Sequence, residues 1–162
     1  MPTVLVDTDF LSSFLKVGRC ELIRSLYQVE QVLIPAAVYR ELAQTDLLTR
    51  LLAIPWIRVW PEEASTGEGS LVAPGLEGLG LGEQACILIA RGLRDAVLLT
   101  SDNVARRKAQ SHGIVVANIP AFLIACKDAG LLDSDQMTQV VEDLRQMDFY
   151  EFRPEVRDLL LA

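Results

Sequence analysis

The fold is decided first at residues 3–10, which read Thr-Val-Leu-Val-Asp-Thr-Asp-Phe. The apolar run at 4–6 ends abruptly at Asp7, and a short continuous run of this kind is typical of a strand buried on both faces. Asp9 is of a residue type that caps helices, and apolar residues recur after it at helical spacing as far as Gly18. These residues predict a buried strand, an acid at its carboxyl end, and a helix capped by Asp9.

Further along the chain, apolar runs alternate with helical patterns. The runs lie at residues 32–34, 56–60, 97–99 and 114–116, and the helical patterns at 21–27, 35–42, 47–53, 82–93, 104–112, 119–129 and 134–147. In the pattern at 82–93, the residues at helical spacing are Ala85, Leu88, Ile89 and Leu93. Strands that alternate with helices need crossover connections, which predicts an α/β fold with a mostly parallel sheet and helices on both faces. Ligands of such folds bind beyond the carboxyl ends of the strands.

Length and composition predict a single domain over residues 1–162. The 162 residues, of which 51% are hydrophobic and 23% charged, suffice for one well-buried core but not for two. Between residues 61 and 81 the composition shifts to Gly, Glu, Ser and Pro, which predicts a surface loop. Residues 131–162 are predicted to form a C-terminal helical extension.

Several classes of protein and site are disfavoured by composition. No apolar stretch approaches the roughly 20 residues of a membrane-spanning helix, and the N-terminus lacks a secretory pattern, so we expect a cytoplasmic protein with no membrane partner. Cys20, Cys86 and Cys126 are widely separated, and His112 is the sole histidine, which indicates neither a disulfide framework nor a zinc site. Any metal would therefore need oxygen ligands.

The net charge of −7 argues against RNA binding through a general basic surface. Acids concentrated at a site that a divalent cation neutralises would still leave local basic patches free to contact phosphates. Arg106 and Arg107 are candidates for such contacts, and a solvated basic helix face is the alternative interpretation.

Four acids fall where the predicted sheet would bring them together. Asp7 and Asp102 follow predicted strands, while Glu41 and Glu83 lie early in helices that connect strands. Each acid alone has a structural explanation as a capping or solvated residue, so the hypothesis rests on the set. Carboxylates about 4 Å apart repel by roughly 4 kcal/mol at an effective dielectric near 20, a penalty that a divalent cation removes. A site with only oxygen ligands selects Mg²⁺ or Mn²⁺, which activate water and hold phosphate oxygens.

The blocks that surround these acids carry a family resemblance. They are Val-Leu-Val-Asp-Thr-Asp-Phe-Leu at 4–11, Ile-Pro-Ala-Ala-Val-Tyr-Arg-Glu-Leu at 34–42, Leu-Gly-Leu-Gly-Glu-Gln-Ala at 79–85 and Leu-Leu-Thr-Ser-Asp-Asn-Val-Ala-Arg-Arg at 98–107. In order and spacing they resemble the PIN-domain superfamily, and specifically its VapC-like prokaryotic branch. The resemblance covers roughly residues 3–130.

The resemblance implies a three-layer α/β/α Rossmann-like PIN domain that hydrolyses RNA phosphodiester bonds with Mg²⁺ or Mn²⁺, often as the toxin of a toxin–antitoxin pair. By position, Asp7, Glu41, Glu83 and Asp102 would be its catalytic and metal-binding residues. The implied partners are an RNA substrate, an antitoxin protein and a second copy of the chain in a homodimer.

Two positions depart from the family pattern. Asp9 stands where the family usually has Ser or Asn, and Asn103 stands where a further acid often follows Asp102. Asp9 would orient Asp7 or add a ligand, and Asn103 would offer a neutral oxygen, so both are secondary site residues. The alternative function is that of a catalytically degenerate PIN domain acting as a binding or scaffold module.

Other nucleotide-binding and signalling classes do not match. The glycines at 75–82 follow no predicted strand and do not form Gly-x-Gly-x-x-Gly, and no Gly-Lys-Ser or Gly-Lys-Thr of a phosphate-binding loop occurs. A receiver-like signalling domain would need a phosphoacceptor Asp after a middle strand and a Lys after a later one, and that pair is missing.

Overall fold

A five-stranded sheet forms the centre of the protein, seen in a computed structural model that describes residues 1–61 and 75–162. The strands are β1 (Thr3–Val6), β2 (Val32–Ile34), β3 (Ile57–Val59), β4 (Ala96–Leu99) and β5 (Val115–Ala117). Their order is β3-β2-β1-β4-β5, and every neighbouring pair is parallel. The predicted α/β fold with a parallel sheet is confirmed.

Nine helices lie within the described ranges. They are α1 (Thr8–Val17), α2 (Glu21–Tyr27), α3 (Ala36–Ala43), α4 (Leu48–Leu52), α5 (Leu81–Arg91), α6 (Asn103–Ser111), α7 (Ile119–Asp128), α8 (Ser134–Asp148) and α9 (Pro154–Leu161). None of these helices is long and apolar enough to cross a membrane. The predicted loop at 61–81 falls largely on residues 62–74, which lie outside the described residues.

Both faces of the sheet are covered at its centre. Successive residues of a strand point to opposite faces. The residues at 4–6 of β1 and all four residues of β4 are buried, so neither face of these two strands meets solvent. This burial requires helices on both sides and establishes the three-layer α/β/α arrangement. The edge strands β3 and β5 are more exposed.

Helix α1 runs from the end of β1 into the core. Phe10 and Phe14 stack with ring centroids 5.0 Å apart, and Phe122 of α7 meets them edge-on at 5.5 and 5.3 Å. The helix ends at Gly18 as predicted, because Gly18 adopts a φ of 68° while its amide donates to the carbonyls of Leu15 and Phe14.

The C-terminal helices pack against α1 and α7. Helix α8 contacts α1 and buries the predicted residues Met137, Val140, Val141 and Leu144. At its end, Asp148 accepts hydrogen bonds from the Ser13 hydroxyl at 2.5 Å and from Lys16 Nζ at 3.0 Å. Helix α9 contacts α7 and α8, and Lys127 Nζ donates to the carbonyls of Leu159 and Ala162 at 2.9 Å. The C-terminal helices are therefore held to α1 through α8 and to α7 through α9.

The helix predicted at 82–93 is present as α5, and Ile89 and Leu93 of its apolar pattern pack against the core, but they are not its most buried residues. Leu88 is 44% exposed, and the buried residues include Gly82, Cys86 and Ala90. These three residues recur every four positions, so their small side chains form a narrow row along one face of α5. This row lets α5 approach the neighbouring elements closely. Helix α5 contacts β1, β4, α3 and α6, and Cys86 Sγ donates to the carbonyl of Val6 at 3.7 Å. Periodicity of large apolar residues missed this row because small residues form it, and it also missed Ile87, which is fully buried beside the row.

Candidate active site

Asp7 and Asp102 lie at the same edge of the sheet. Strands β1 and β4 are parallel neighbours with Val6 opposite Leu99, so the chain leaves both strands at the same end. Each acid then caps the next helix: Asp7 Oδ1 accepts from the amide of Phe10 at 3.0 Å, and Asp102 Oδ1 accepts from the amide of Ala105 at 2.8 Å. The two strand-end acids are therefore held by the starts of α1 and α6.

The prediction that Asp9 caps α1 is wrong. Asp7 is the cap residue, with extended backbone at φ −83° and ψ 173°, as a helix cap requires. Asp9 lies in the first turn of the helix and its side chain is exposed. Its negative charge there favours the helix start and adds to the acids around Asp7.

Asp7 is almost fully enclosed, with 2% of its surface exposed. Its Oδ1 is bonded to the Phe10 amide, and its Oδ2 accepts from the hydroxyl of Thr100. Burial raises the pKa of Asp7 from 3.8 to about 7, against the lowering effect of these two hydrogen bonds, while Asp9 and Glu83 raise it further. The group therefore carries a proton part of the time near neutral pH.

Glu83 lies in the first turn of α5 and faces the other acids. Its Oε1 accepts from the amide of Gly80 at 2.9 Å, while its Oε2 is buried and accepts no hydrogen bond from an amide or hydroxyl group. Burial raises the pKa of Glu83, and the Gly80 hydrogen bond opposes that shift. The charges of Asp102 and Asp9, and a hydrogen bond between the side chains of Glu83 and Asp102, raise it further. An unpartnered buried carboxylate oxygen beside two other acids is costly unless a cation or a donor satisfies it.

Glu41 reaches the same place from α3. It lies in the second turn of that helix, and its Oε1 accepts from the amide of Gly82 at 3.0 Å. Helix α3 contacts both α1 and α5, which brings Glu41 to the start of α5. Asp7, Glu41, Glu83 and Asp102 thus gather where α1, α5 and α6 begin.

The other predicted site residues lie on α6. Asn103 is its first residue and is exposed. Arg106 is half-buried, and its Nε is buried without a hydrogen-bond partner, whereas Arg107 is exposed. Because α6 begins at the Asp102 cap, both arginines lie within two turns of the acids.

The donor chemistry of the site fits a hard divalent cation. All four carboxylates offer oxygen, and Glu83 contributes a buried oxygen that accepts no hydrogen bond from an amide or hydroxyl group. In the described ranges, however, no three His, Cys, Asp or Glu side chains are arranged so that they could hold a metal ion. Each of the four carboxylates instead accepts one hydrogen bond from a backbone amide. The four carboxylates are therefore of the ligand type that Mg²⁺ and Mn²⁺ prefer. Their side chains are oriented by hydrogen bonds from backbone amides at the starts of helices.

The sequence interpretation missed Thr100, which links the two strand-end acids. Thr100 is 1% exposed, donates to Asp7 and accepts from the amide of Asp102 at 3.2 Å. A threonine directly after a buried strand and two residues before an acid is the signal that could have revealed it. Its hydroxyl sets the relative positions of Asp7 and Asp102.

Comparison with known protein families agrees with this geometry. A family model described as a PIN domain matches residues 3–161, so the chain belongs to the PIN-domain family. PIN domains are generally nucleases and typically use divalent metal ions. A search among curated proteins found no match.

The raised pKa of Asp7 predicts how stability depends on pH. The pKa of Asp7 is about 7 in the folded state and 3.8 for an ordinary aspartate, which represents the unfolded state. The folded state therefore binds this proton more tightly. The contribution of Asp7 to stability is complete below about pH 4 and is lost as the pH rises through about 7. From this group we expect the free energy of unfolding to fall by up to about 4 kcal/mol over that range.

Urea unfolding from about pH 4 to about pH 8, in buffer with a chelator, measures this effect. Asp7→Asn mimics the protonated acid and removes the contribution, so the stability difference between wild type and variant should change across this range. Two curves that run parallel over the whole range would contradict the assignment.

Replacement of Thr100 tests the contribution of its hydroxyl group to the pKa of Asp7 and to stability. Thr100→Val keeps the shape but removes the donor to Asp7 and the acceptor for the Asp102 amide, so the pKa of Asp7 should rise further. Loss of these buried partners should cost about 1–3 kcal/mol of stability. Carboxyl NMR titration and urea unfolding measure the two effects. Thr100→Ser retains the hydroxyl and should titrate like wild type, and an unshifted Asp7 in Thr100→Val would refute the link.

Proposed function

We propose that the chain is a metal-dependent endoribonuclease that hydrolyses RNA phosphodiester bonds. Its catalytic and metal-binding residues are Asp7, Glu41, Glu83 and Asp102. The observation that carries the proposal is the gathering of these carboxylates at the carboxyl edge of the sheet, where burial and mutual repulsion raise the pKa of Asp7 and Glu83. A site that concentrates negative charge in this way is suited to a divalent cation.

The chain's own residues would prepare the site for such an ion. Mg²⁺ or Mn²⁺, when bound, would supply the activation of water and the neutralisation of charge on the phosphate. The Phe10 amide and the Thr100 hydroxyl orient Asp7 from opposite oxygens, and Glu83 keeps Oε2 without an amide or hydroxyl donor. Asp9 and Asn103 are the secondary residues of the site. Asp9 adds negative charge, and Asn103 adds an exposed neutral oxygen.

Arg106 and Arg107 are the proposed contacts to the RNA backbone. Arg107 is exposed, and Arg106 is half-buried. Guanidinium groups bind phosphate oxygens through several N–H donors, and such contacts fix position without reading sequence. These two arginines would hold the strand next to the acids despite the net charge of −7.

The likeness of the four blocks to the VapC-like branch supports a role as the toxin of a toxin–antitoxin pair. An antitoxin protein, a homodimer and a cytoplasmic location belong to the same proposal. The antitoxin would act by preventing access of RNA to the acids.

Mn²⁺ titration by calorimetry tests the metal site, with labelled RNA as the second readout. Wild type should bind Mn²⁺ and cleave RNA, and Asp7→Asn and Asp102→Asn should weaken binding at least about tenfold and lose cleavage. Asp133→Asn is the matched control, because Asp133 also caps a helix through its Oδ1, bonded to the Gln136 amide at 2.8 Å. It should behave like wild type.

Failure of wild type to bind Mn²⁺ at millimolar concentration would overturn the proposal. The chain would then be a catalytically degenerate PIN domain that acts as a binding or scaffold module. Equal loss of binding in Asp133→Asn would show instead that a weakened helix cap, and not the acid cluster, explains the result.

The toxin role is tested by expression in a bacterial host. Induced wild type and Asp133→Asn should arrest growth, because RNA is cleaved in the absence of an antitoxin, whereas Asp7→Asn should not. Growth rates after induction measure the effect. Normal growth with wild type, when the same purified protein cleaves RNA, would reject the toxin role and leave the nuclease in place.

A further inference from the structure

Gly82 occupies a place in which no side chain fits. It is buried at the second position of α5, and its amide lies 3.0 Å from Glu41 Oε1. A Cβ at this position would lie 2.5 Å from Glu41 Oε1, 3.1 Å from Thr8 Oγ1 and 3.1 Å from Val38 Cγ2. Its backbone is helical and does not need glycine for its conformation. The space around Gly82, and not its backbone conformation, therefore disfavours a larger residue.

The three neighbours differ in how easily they can move. Val38 is fully buried in the core on α3, and Thr8 is the first residue of α1, directly after Asp7. Both are fixed by the packing of their helices. The Glu41 carboxylate, in contrast, is the far end of a flexible side chain whose residue is exposed. An added methyl group at position 82 would therefore displace the carboxylate and leave the helices in place.

We propose that Gly82 is a positioning residue for Glu41. Its amide holds one carboxylate oxygen, and its missing side chain leaves the space in which that carboxylate reaches the start of α5. This inference rests on the proposed function, since it treats the position of Glu41 as a requirement of the metal site. The role does not involve contact between Gly82 and substrate or metal.

Two further glycines, Gly80 and Gly92, flank α5 as its cap residues and can be compared with Gly82. A Cβ at Gly80 would lie 3.1 Å from Glu83 Oε1, so this glycine also borders a site carboxylate. Gly92, at the opposite end of α5, has a φ of −83°, and a Cβ there would meet only the carbonyl of Ile89 at an ordinary 3.5 Å. Gly92→Ala is thus a matched control for Gly82→Ala.

Calorimetric Mn²⁺ titration of the full chain compares wild type, Gly82→Ala and Gly92→Ala. The dissociation constant of Gly82→Ala should rise at least about tenfold, as expected when a partner that orients a ligand is lost. Gly92→Ala should bind like wild type. Mn²⁺ binding by Gly82→Ala as tight as that of wild type would overturn the inference.

A second measurement does not depend on metal. In chelator-containing buffer, the urea midpoint is compared for wild type, Gly82→Ala, Glu41→Ala and the double variant. If the added methyl acts mainly on the carboxylate, the change from Gly82 to Ala lowers the midpoint clearly more when Glu41 is present than when Glu41 is Ala, because only the contacts with Thr8 and Val38 remain in the second background. An equal shift in both backgrounds would overturn the inference.

The two measurements separate the inference from the proposed function. If wild type binds no Mn²⁺, the nuclease proposal fails, and the midpoints still decide whether Gly82 positions Glu41. If Gly82→Ala does not fold but the double variant does, the contact with Glu41 is established as the cause. If neither folds, Gly82 serves the packing of α5 and the inference is wrong.

Discussion

The structure depends on backbone amides at the starts of helices, which hold acidic side chains close together. Asp7, Glu41, Glu83 and Asp102 each accept one hydrogen bond from an amide at the start of α1, α5 or α6. Helix starts carry partial positive charge, which offsets some of the repulsion between neighbouring carboxylates. The parallel sheet makes this possible, because β1 and β4 end side by side and release their helices at one edge. Fold and site are thus consequences of the same arrangement of strand ends and helix starts.

The close approach of α5 is the second requirement. Its row of small residues, Gly82, Cys86 and Ala90, lets the helix come near enough to β1 for the Cys86 thiol to meet the carbonyl of Val6. That approach carries Glu83 to the acids and places the Gly82 amide against Glu41. A bulkier residue at Cys86 or Ala90 would push the helix away from the sheet, and the two carboxylates bonded at its start would lose their anchors.

Much of this could be predicted from sequence because the deciding features are local. The central strands are continuous apolar runs since both of their faces are buried, Gly18 ends α1 through its backbone conformation, and the acids at strand ends mark one edge of a parallel sheet. Features that depend on distant partners were missed. The pairing of Glu41 with Gly82 joins residues 41 positions apart. The role of Thr100 depends on Asp7, which follows the neighbouring strand. The cap of α1 was misplaced by two residues because Asp7 and Asp9 are both good caps, and only the backbone turn distinguishes them.

The bonds from Ser13 and Lys16 to Asp148 join the last long helix to the helix that begins at Asp7. Ser13 is 4% exposed, so its hydroxyl has little access to water if that acceptor is removed. A premature stop codon before position 148 would therefore do more than shorten a peripheral segment. It would remove an acceptor of the Ser13 hydroxyl and the counter-charge of Lys16, expose the face of α1 that α8 covers, and weaken the support of the helix that Asp7 caps.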